Sequence, residues 1–174
     1  KEFFGASEYA TFVSMDAKRP DEVICHNVIW QIDLDKGTWQ PKSTIWRGEG
    51  NNVPHEPHGT VGCGGPLYLV TAKNGHQYAV AWTANYAHSL YLRVGDIFKP
   101  VIITIQVLKG NPFVPWPPYP LFADEKIYPN GMYVWQDAND DQTMQTGEIV
   151  RGQPFTWMDA DLNLWSPSGS VNRP

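Results

Sequence analysis

The 174-residue sequence predicts an all-β protein built from antiparallel hairpins arranged as propeller-like blades, with a two-sheet β-sandwich as the alternative. Three observations lead there. No long stretch carries the i, i+3, i+4, i+7 apolar spacing and caps of a helix. Short alternating runs rich in β-branched and aromatic residues dominate instead. Fifteen Gly and fifteen Pro interrupt the chain often enough to end each run within a few residues.

The first hairpin is "NVIWQIDLDKGTWQPKSTIW" (27–46), which places Val28, Trp30, Ile32 and Leu34 on one face and turns at Asp35-Lys36-Gly37. The second is "PLYLVTAKNGHQYAVAW" (66–82), where Asn74-Gly75 supplies the positive φ angles of a tight turn. The third, "SLYLRVGDIFKPVIITI" (89–105), turns at Gly95-Asp96. The first and third share a pattern, an aromatic-bearing strand, a Gly turn, an aromatic, then a proline two residues on, repeated after about 60 residues. As blades of four strands, residues 67–105 make a full unit, 8–48 most of an earlier one, and 132–165 the start of another. The chain reads as a single all-β domain over 1–174 or as a fragment of a larger propeller. Between units, "NPFVPWPPYPLF" (111–122) reads as a rigid polyproline-rich connector with its rings packed on the surface.

Composition limits the functions. The net charge of −5 leaves no basic surplus for phosphates, which argues against nucleic acid as a partner. No apolar run approaches the roughly 18 residues of a membrane span, and no signal peptide opens the chain. Cys25 and Cys63 are compatible with one disulfide or with two buried thiols.

The chemistry concentrates in "WQDANDDQTMQTGE" (135–148). Numbered from Asp137, the side-chain oxygens of Asp137, Asn139 and Asp141 occupy positions 1, 3 and 5. Thr143 at position 7 offers its backbone carbonyl, Gln145 at position 9 acts through water, and Glu148 at position 12 brings two carboxylate oxygens. That is the EF-hand ligand spacing for Ca²⁺, which takes six to eight oxygens. Met144 at position 8 suits an inward anchor. Position 6, normally glycine, is Gln142, and a positive φ there costs a side-chain-bearing residue about 1 kcal/mol or more. The preceding "MYVW" (132–135) reads as strand, so the loop is not expected between two helices.

"MYVWQDANDDQTMQTGEI" followed by "FTWMDADLNLW" (155–165) resembles a pattern in large secreted bacterial β-propeller proteins, and the hairpins "IWQIDLDKG" and "LYLRVGD" are similar to theirs. The resemblance implies an extracellular or cell-surface location, a propeller-like segment and a Ca²⁺-stiffened loop between strands, with no particular activity. A closed propeller needs at least four blades, so a chain of this length implies a fragment or edges closed by another copy.

Other candidates are weaker. His55, His58 and Cys63 in "HEPHGTVGC" are transition-metal ligand types, with His26 or His88 as a further ligand, and would serve a metal-dependent enzyme. Their spacing matches no strong signature. Asp159 and Asp161 are a carboxylate pair on one strand face, better suited to a structural or second cation role than to glycoside hydrolysis. Most of the eight tryptophans read as core, and Trp116 as the best exposed sugar-stacking platform. The sequence thus favours an extracellular, calcium-binding structural or interaction protein that self-associates through strand edges or binds a protein partner. The alternatives are the His55/His58 enzyme and a carbohydrate-binding module with a glycan ligand.

Overall fold

A computed structural model describes residues 13–25, 28–45, 52–53, 67–82, 88–111, 116–166 and 171–172. The protein is all-β. Two antiparallel four-stranded meanders form its body. The first contains β1 (Ser14–Asp16), β2 (Arg19–Cys25), β3 (Val28–Asp33) and β4 (Thr38–Ile45). The second contains β5 (Leu67–Thr71), β6 (Gln77–Trp82), β7 (His88–Val94) and β8 (Ile97–Val107). The three expected hairpins are all present. Gly37, Gly75 and Gly95 hold φ of 63°, 85° and 63° at their turns, which is the conformation glycine adopts without strain.

The meanders do not stand apart as blades. β4 pairs with β8 in parallel, Thr44 with Ile97 and Ile45 with Phe98, giving the order β1-β2-β3-β4-β8-β7-β6-β5. The sheet curls until β1 lies against β5, so its eight strands make a nearly closed barrel. The expected propeller arrangement is replaced because backbone hydrogen bonds continue across the β4–β8 junction, where separate blades would pack face to face.

The repeat between the two hairpins has a structural counterpart. The β3–β4 register slips between Ile29 and Trp30, leaving Lys42 as the extra residue after Pro41. The β7–β8 register slips between Leu90 and Tyr91, leaving Val101 extra after Pro100. Such bulges bend a strand and re-aim its side chains. The two hairpins differ in facing, since Tyr91 is buried whereas Trp30 is only half-buried.

Three apolar clusters result. Ile24, Ile29, Ile45, Leu69, Ala79, Ala81, Tyr91 and Phe98, drawn from seven strands, fill the barrel. A second cluster joins outer-face residues Tyr78, Val80, Leu90 and Ile102 to Phe155, Met158 and Leu164 of the C-terminal arm. That arm carries a small sheet of β11 (Trp157–Met158), β12 (Leu164–Trp165) and β13 (Val171–Asn172). The Met158 N–H donates to the Tyr68 hydroxyl at 2.8 Å, and burial pushes that phenol up to about 12. The third cluster lies under the far half of β8, which pairs with β9 (Gly131–Gln136), itself paired with β10 (Ile149–Arg151). Ile103, Ile105 and Val107 meet Tyr119, Phe122, Tyr128, Tyr133, Trp135 and Met144 there.

These clusters correct two expectations. The segment around 116–123 is not a surface connector, because a 3-10 helix at Pro120–Ala123 and the bend before it bury Tyr119 and Phe122. Most of the described tryptophans are not core. Among those whose side chains are described, Trp135 is fully buried, Trp157 is 46% exposed, and Trp30, Trp39, Trp116 and Trp165 are half-buried. The described residues contain no helix long and apolar enough to cross a membrane.

The barrel interior is polar at one end. Glu22, 1% exposed, accepts Arg93 at 2.8 Å and Lys42 at 2.7 Å, and Arg93 also donates to Gln77 at 2.7 Å. The bulge at Lys42 delivers that ammonium to Glu22. Burial works to raise the Glu22 carboxyl, but the Lys42 and Arg93 cations outweigh it and hold the group below its ordinary value. Asp16 accepts from the Thr71 hydroxyl and, at 3.3 Å, from Gln77, linking β1 to β5 and β6.

Two outcomes follow. Glu22→Ala leaves the largely buried Arg93 guanidinium without its carboxylate and should cost about 3–5 kcal/mol in urea unfolding, whereas Glu22→Gln, which keeps an acceptor, should cost less. His88, packed beside Phe155 with centroids 6.1 Å apart, has its imidazole lowered by burial from 6.5 to about 4. The unfolded chain therefore binds that proton first, so stability present above pH 6.5 should fall as the pH drops toward 4. His88→Gln should flatten that part of a denaturation-versus-pH profile.

Candidate functional site

The acidic loop leaves β9 and returns to β10. Its path is set by short Asx turns, in which a side-chain oxygen accepts an N–H a few residues ahead. Asp137 Oδ1 accepts the Asp141 N–H at 3.2 Å, and Oδ2 accepts the Gln142 N–H at 3.1 Å. Asn139 Oδ1 accepts the Asp141 N–H at 3.1 Å, and Asp141 Oδ1 accepts the Thr143 N–H at 2.7 Å. Positions 1, 3 and 5 thus wind the backbone into one tight curl.

The backbone is left-handed at position 6, with φ of 56° at Gln142, and also at position 4, with φ of 60° at Asp140. The strain at Gln142 is offset locally, because its buried side chain donates to Asp137 at 3.0 Å and Asp140 at 2.8 Å. Met144 at position 8 is 2% exposed within the third cluster, and its N–H donates to the Asn52 carbonyl at 2.8 Å. The anchor expected from the sequence is therefore present.

Glu148 closes the loop onto its start. One oxygen accepts the Ala138 N–H at 3.1 Å and the other accepts the Trp135 indole N–H at 2.9 Å. Gln145, expected to act through water, donates to Asp141 at 2.6 Å, and Asn139 donates to the same oxygen at 3.1 Å. Among the described residues, no group of three or more His, Cys, Asp or Glu side chains is drawn together closely enough to hold a metal ion. The fold brings Asp137, Asn139 and Asp141 into one hydrogen-bonded curl. It sets Glu148 behind them against Trp135.

A similar motif lies in the C-terminal arm. Asp159 accepts the Asp161 and Asn163 N–H groups, both at 2.9 Å, the Asn163 amide at 2.9 Å and the Trp165 indole at 3.1 Å. Led by the Asn163 side chain, these donors hold its carboxyl down to about 2. Asp161 pairs with Lys73 at 2.7 Å. The two carboxylates thus serve the turn and its tie to the β5–β6 hairpin.

His26, His55, His58 and Cys63 lie outside the described residues. Among the described residues Cys25 is a free, buried thiol whose pKa burial raises. Trp116 packs against the third cluster, with the Lys109 ammonium 6.0 Å from its ring centroid. The Glu22–Lys42–Arg93 network is absent from the sequence expectations. Its signal was a single charge in phase with apolar inward positions, Glu22 with Ile24 and Arg93 with Tyr91. No protein-family model, curated protein or solved structure matches the chain.

The Trp135–Glu148 bond makes a separable prediction. With a chelator present, Glu148→Ala should destabilise the fold by about 1–3 kcal/mol in urea unfolding, because a fully buried indole N–H loses its acceptor. Glu148→Gln should retain most of that stability.

Proposed function

We propose that residues 137–148 bind Ca²⁺ and that the chain is an extracellular structural or interaction module stiffened by the ion. The observation that carries this reading is the backbone path. The loop takes a left-handed turn at position 6 without a glycine, as the ligand spacing of Asp137, Asn139, Asp141, Thr143 and Glu148 requires. Its N–H groups are already turned toward those side-chain oxygens, so much of the ordering is done before an ion arrives.

The hydrogen bonds leave acceptor capacity. An ionised carboxylate has about four lone-pair sites, and Asp137 receives three donors. Asp137 and Asp141 can keep their N–H partners while turning a free lone pair to a cation. Gln145 would release Asp141, and Glu148 would turn from Ala138 and Trp135 toward the ion. Because Met144 and Trp135 belong to one core cluster, an ion in the loop would brace the β9–β10 pair.

Association through strand edges fits the same reading. β10 has a ladder partner, β9, on one side, and Val150 in it is 62% exposed. Leu34 at 85%, Val94 at 51% and Ile97 at 40% expose apolar surface at two hairpin tips. A protein partner or a second copy is the occupant this surface suits.

Thermal unfolding with Ca²⁺ and then with chelator tests the reading, beside an Asp137→Ala, Glu148→Ala double variant. A ligand specific to the folded state stabilises by about 2.7 kcal/mol at a hundred times its dissociation constant. The wild type should melt higher with Ca²⁺, its tryptophan fluorescence should change as Glu148 leaves the Trp135 indole, and the variant should show neither effect. A wild-type melt and spectrum indifferent to both Ca²⁺ and chelator would overturn it.

A further inference from the structure

We infer that Trp157 and Trp165 in the C-terminal arm form a binding corner for a small quaternary ammonium cation, the trimethylammonium group that choline carries. The two indoles are cross-strand partners on β11 and β12, so they share one face of the small sheet. Their neighbours in sequence, Met158 and Leu164, are each 3% exposed and pack on the barrel, which turns both indoles outward. The corner is separate from the acidic loop, and the calcium reading does not depend on it.

The rings stand at 84° with centroids 5.7 Å apart. An indole is long enough that the edge of a perpendicular neighbour covers only part of its face. A compact cation lying in the angle therefore meets the negative faces of both rings. Trp157 is 46% exposed, so one wall of the angle is open to solvent. The Trp165 indole N–H donates to Asp159 at 3.1 Å, and giving that bond to an anion enriches the ring in electron density, which strengthens its attraction for a cation.

Asp159 selects the kind of cation. Its four donors, the Asp161 and Asn163 N–H groups, the Asn163 amide and the Trp165 indole, are all neutral. Its negative charge therefore stands beside the corner without an ion pair, whereas Asp161 is taken by Lys73 at 2.7 Å. The same four donors fill the roughly four lone-pair sites of a carboxylate. A primary ammonium, with its N–H groups to satisfy, finds no acceptor there. A quaternary ammonium donates no hydrogen bond, and its methyl groups rest directly on the rings.

The test is an NMR titration of the ¹⁵N-labelled chain, with chelator present and ionic strength held constant by NaCl. Choline is compared with ethanolamine, its primary ammonium counterpart, and with neohexyl alcohol, its neutral isostere. Choline should shift the Trp157 and Trp165 indole signals saturably, with a dissociation constant at or below about 10 mM. Ethanolamine and neohexyl alcohol should each bind at least about fivefold more weakly, the order of factor that cation–π contact supplies at an exposed site. Trp157→Ala should weaken choline binding at least about fivefold, and so should Trp157→Leu, which keeps the apolar bulk should the alanine variant fail to fold. Given choline binding, sedimentation with phosphatidylcholine vesicles separates the two sources of the group: pelleting assigns the corner to a lipid headgroup, and its absence to a free solute. No saturable indole shift with choline, equal affinity for ethanolamine or neohexyl alcohol, or unchanged choline affinity in a folded Trp157 variant would overturn the inference.

Discussion

Most of this architecture depends on β8 serving two cores in succession. Phe98 points into the barrel; after the bulge at Val101 the inward set moves to Ile103, Ile105 and Val107, which face the third cluster. A regular strand keeps one parity throughout, so even-numbered residues would have continued inward and these three apolar side chains would have faced the other way. The extra residue after Pro100 removes that conflict. It leaves the outer Ile102 for the C-terminal arm. β8 is also where both meanders and the β9–β10 extension meet.

The barrel is stabilised differently at its two ends. One is an ordinary apolar filling. The other holds Glu22, Arg93, Lys42, Gln77, Thr71 and Asp16, where each charge is retained because its neighbours satisfy it. Such a network contributes less net stability than its short contacts suggest, since burying the ions costs several kcal/mol each. Its effect is on geometry, because the bonds are directional and tie strands from both meanders to a common register.

The hairpins were legible because their turns are local. Asp35-Lys36-Gly37, Asn74-Gly75 and Gly95-Asp96 announce themselves by residues that tolerate positive φ. Closure was not legible. Nothing local to "TWQPKSTI" or "IFKPVIITI" reveals that the two would pair in parallel. The facing of the first hairpin was ambiguous, since Val28, Trp30 and Ile32 compete with Ile29 for the core and both faces of the strand carry large apolar residues. The register places Ile29, with no exposed surface, inside. The acidic loop was the reverse case. Its curl, the left-handed Gln142 and the buried Met144 follow from residue spacing, because Asx turns are short-range. The orientation of Glu148 required knowing that Trp135 would be buried with its indole N–H in need of an acceptor.

The junction between the meanders has a mechanical meaning. β4 and β8 share two residue pairs, and no strand pairing among the described residues joins β1 to β5, where Asp16 and Thr71 meet through side chains. Within each meander the longer strands share four to six pairs per neighbour. A pulling force across the barrel would therefore fall on a two-rung ladder at one seam and, elsewhere, on side-chain bonds alone, those of Asp16 to Thr71 and Gln77 and of Glu22 to Arg93. The longer ladders within each meander would outlast these links, so the resistance of the molecule to load is set by a short ladder and a few buried carboxylates.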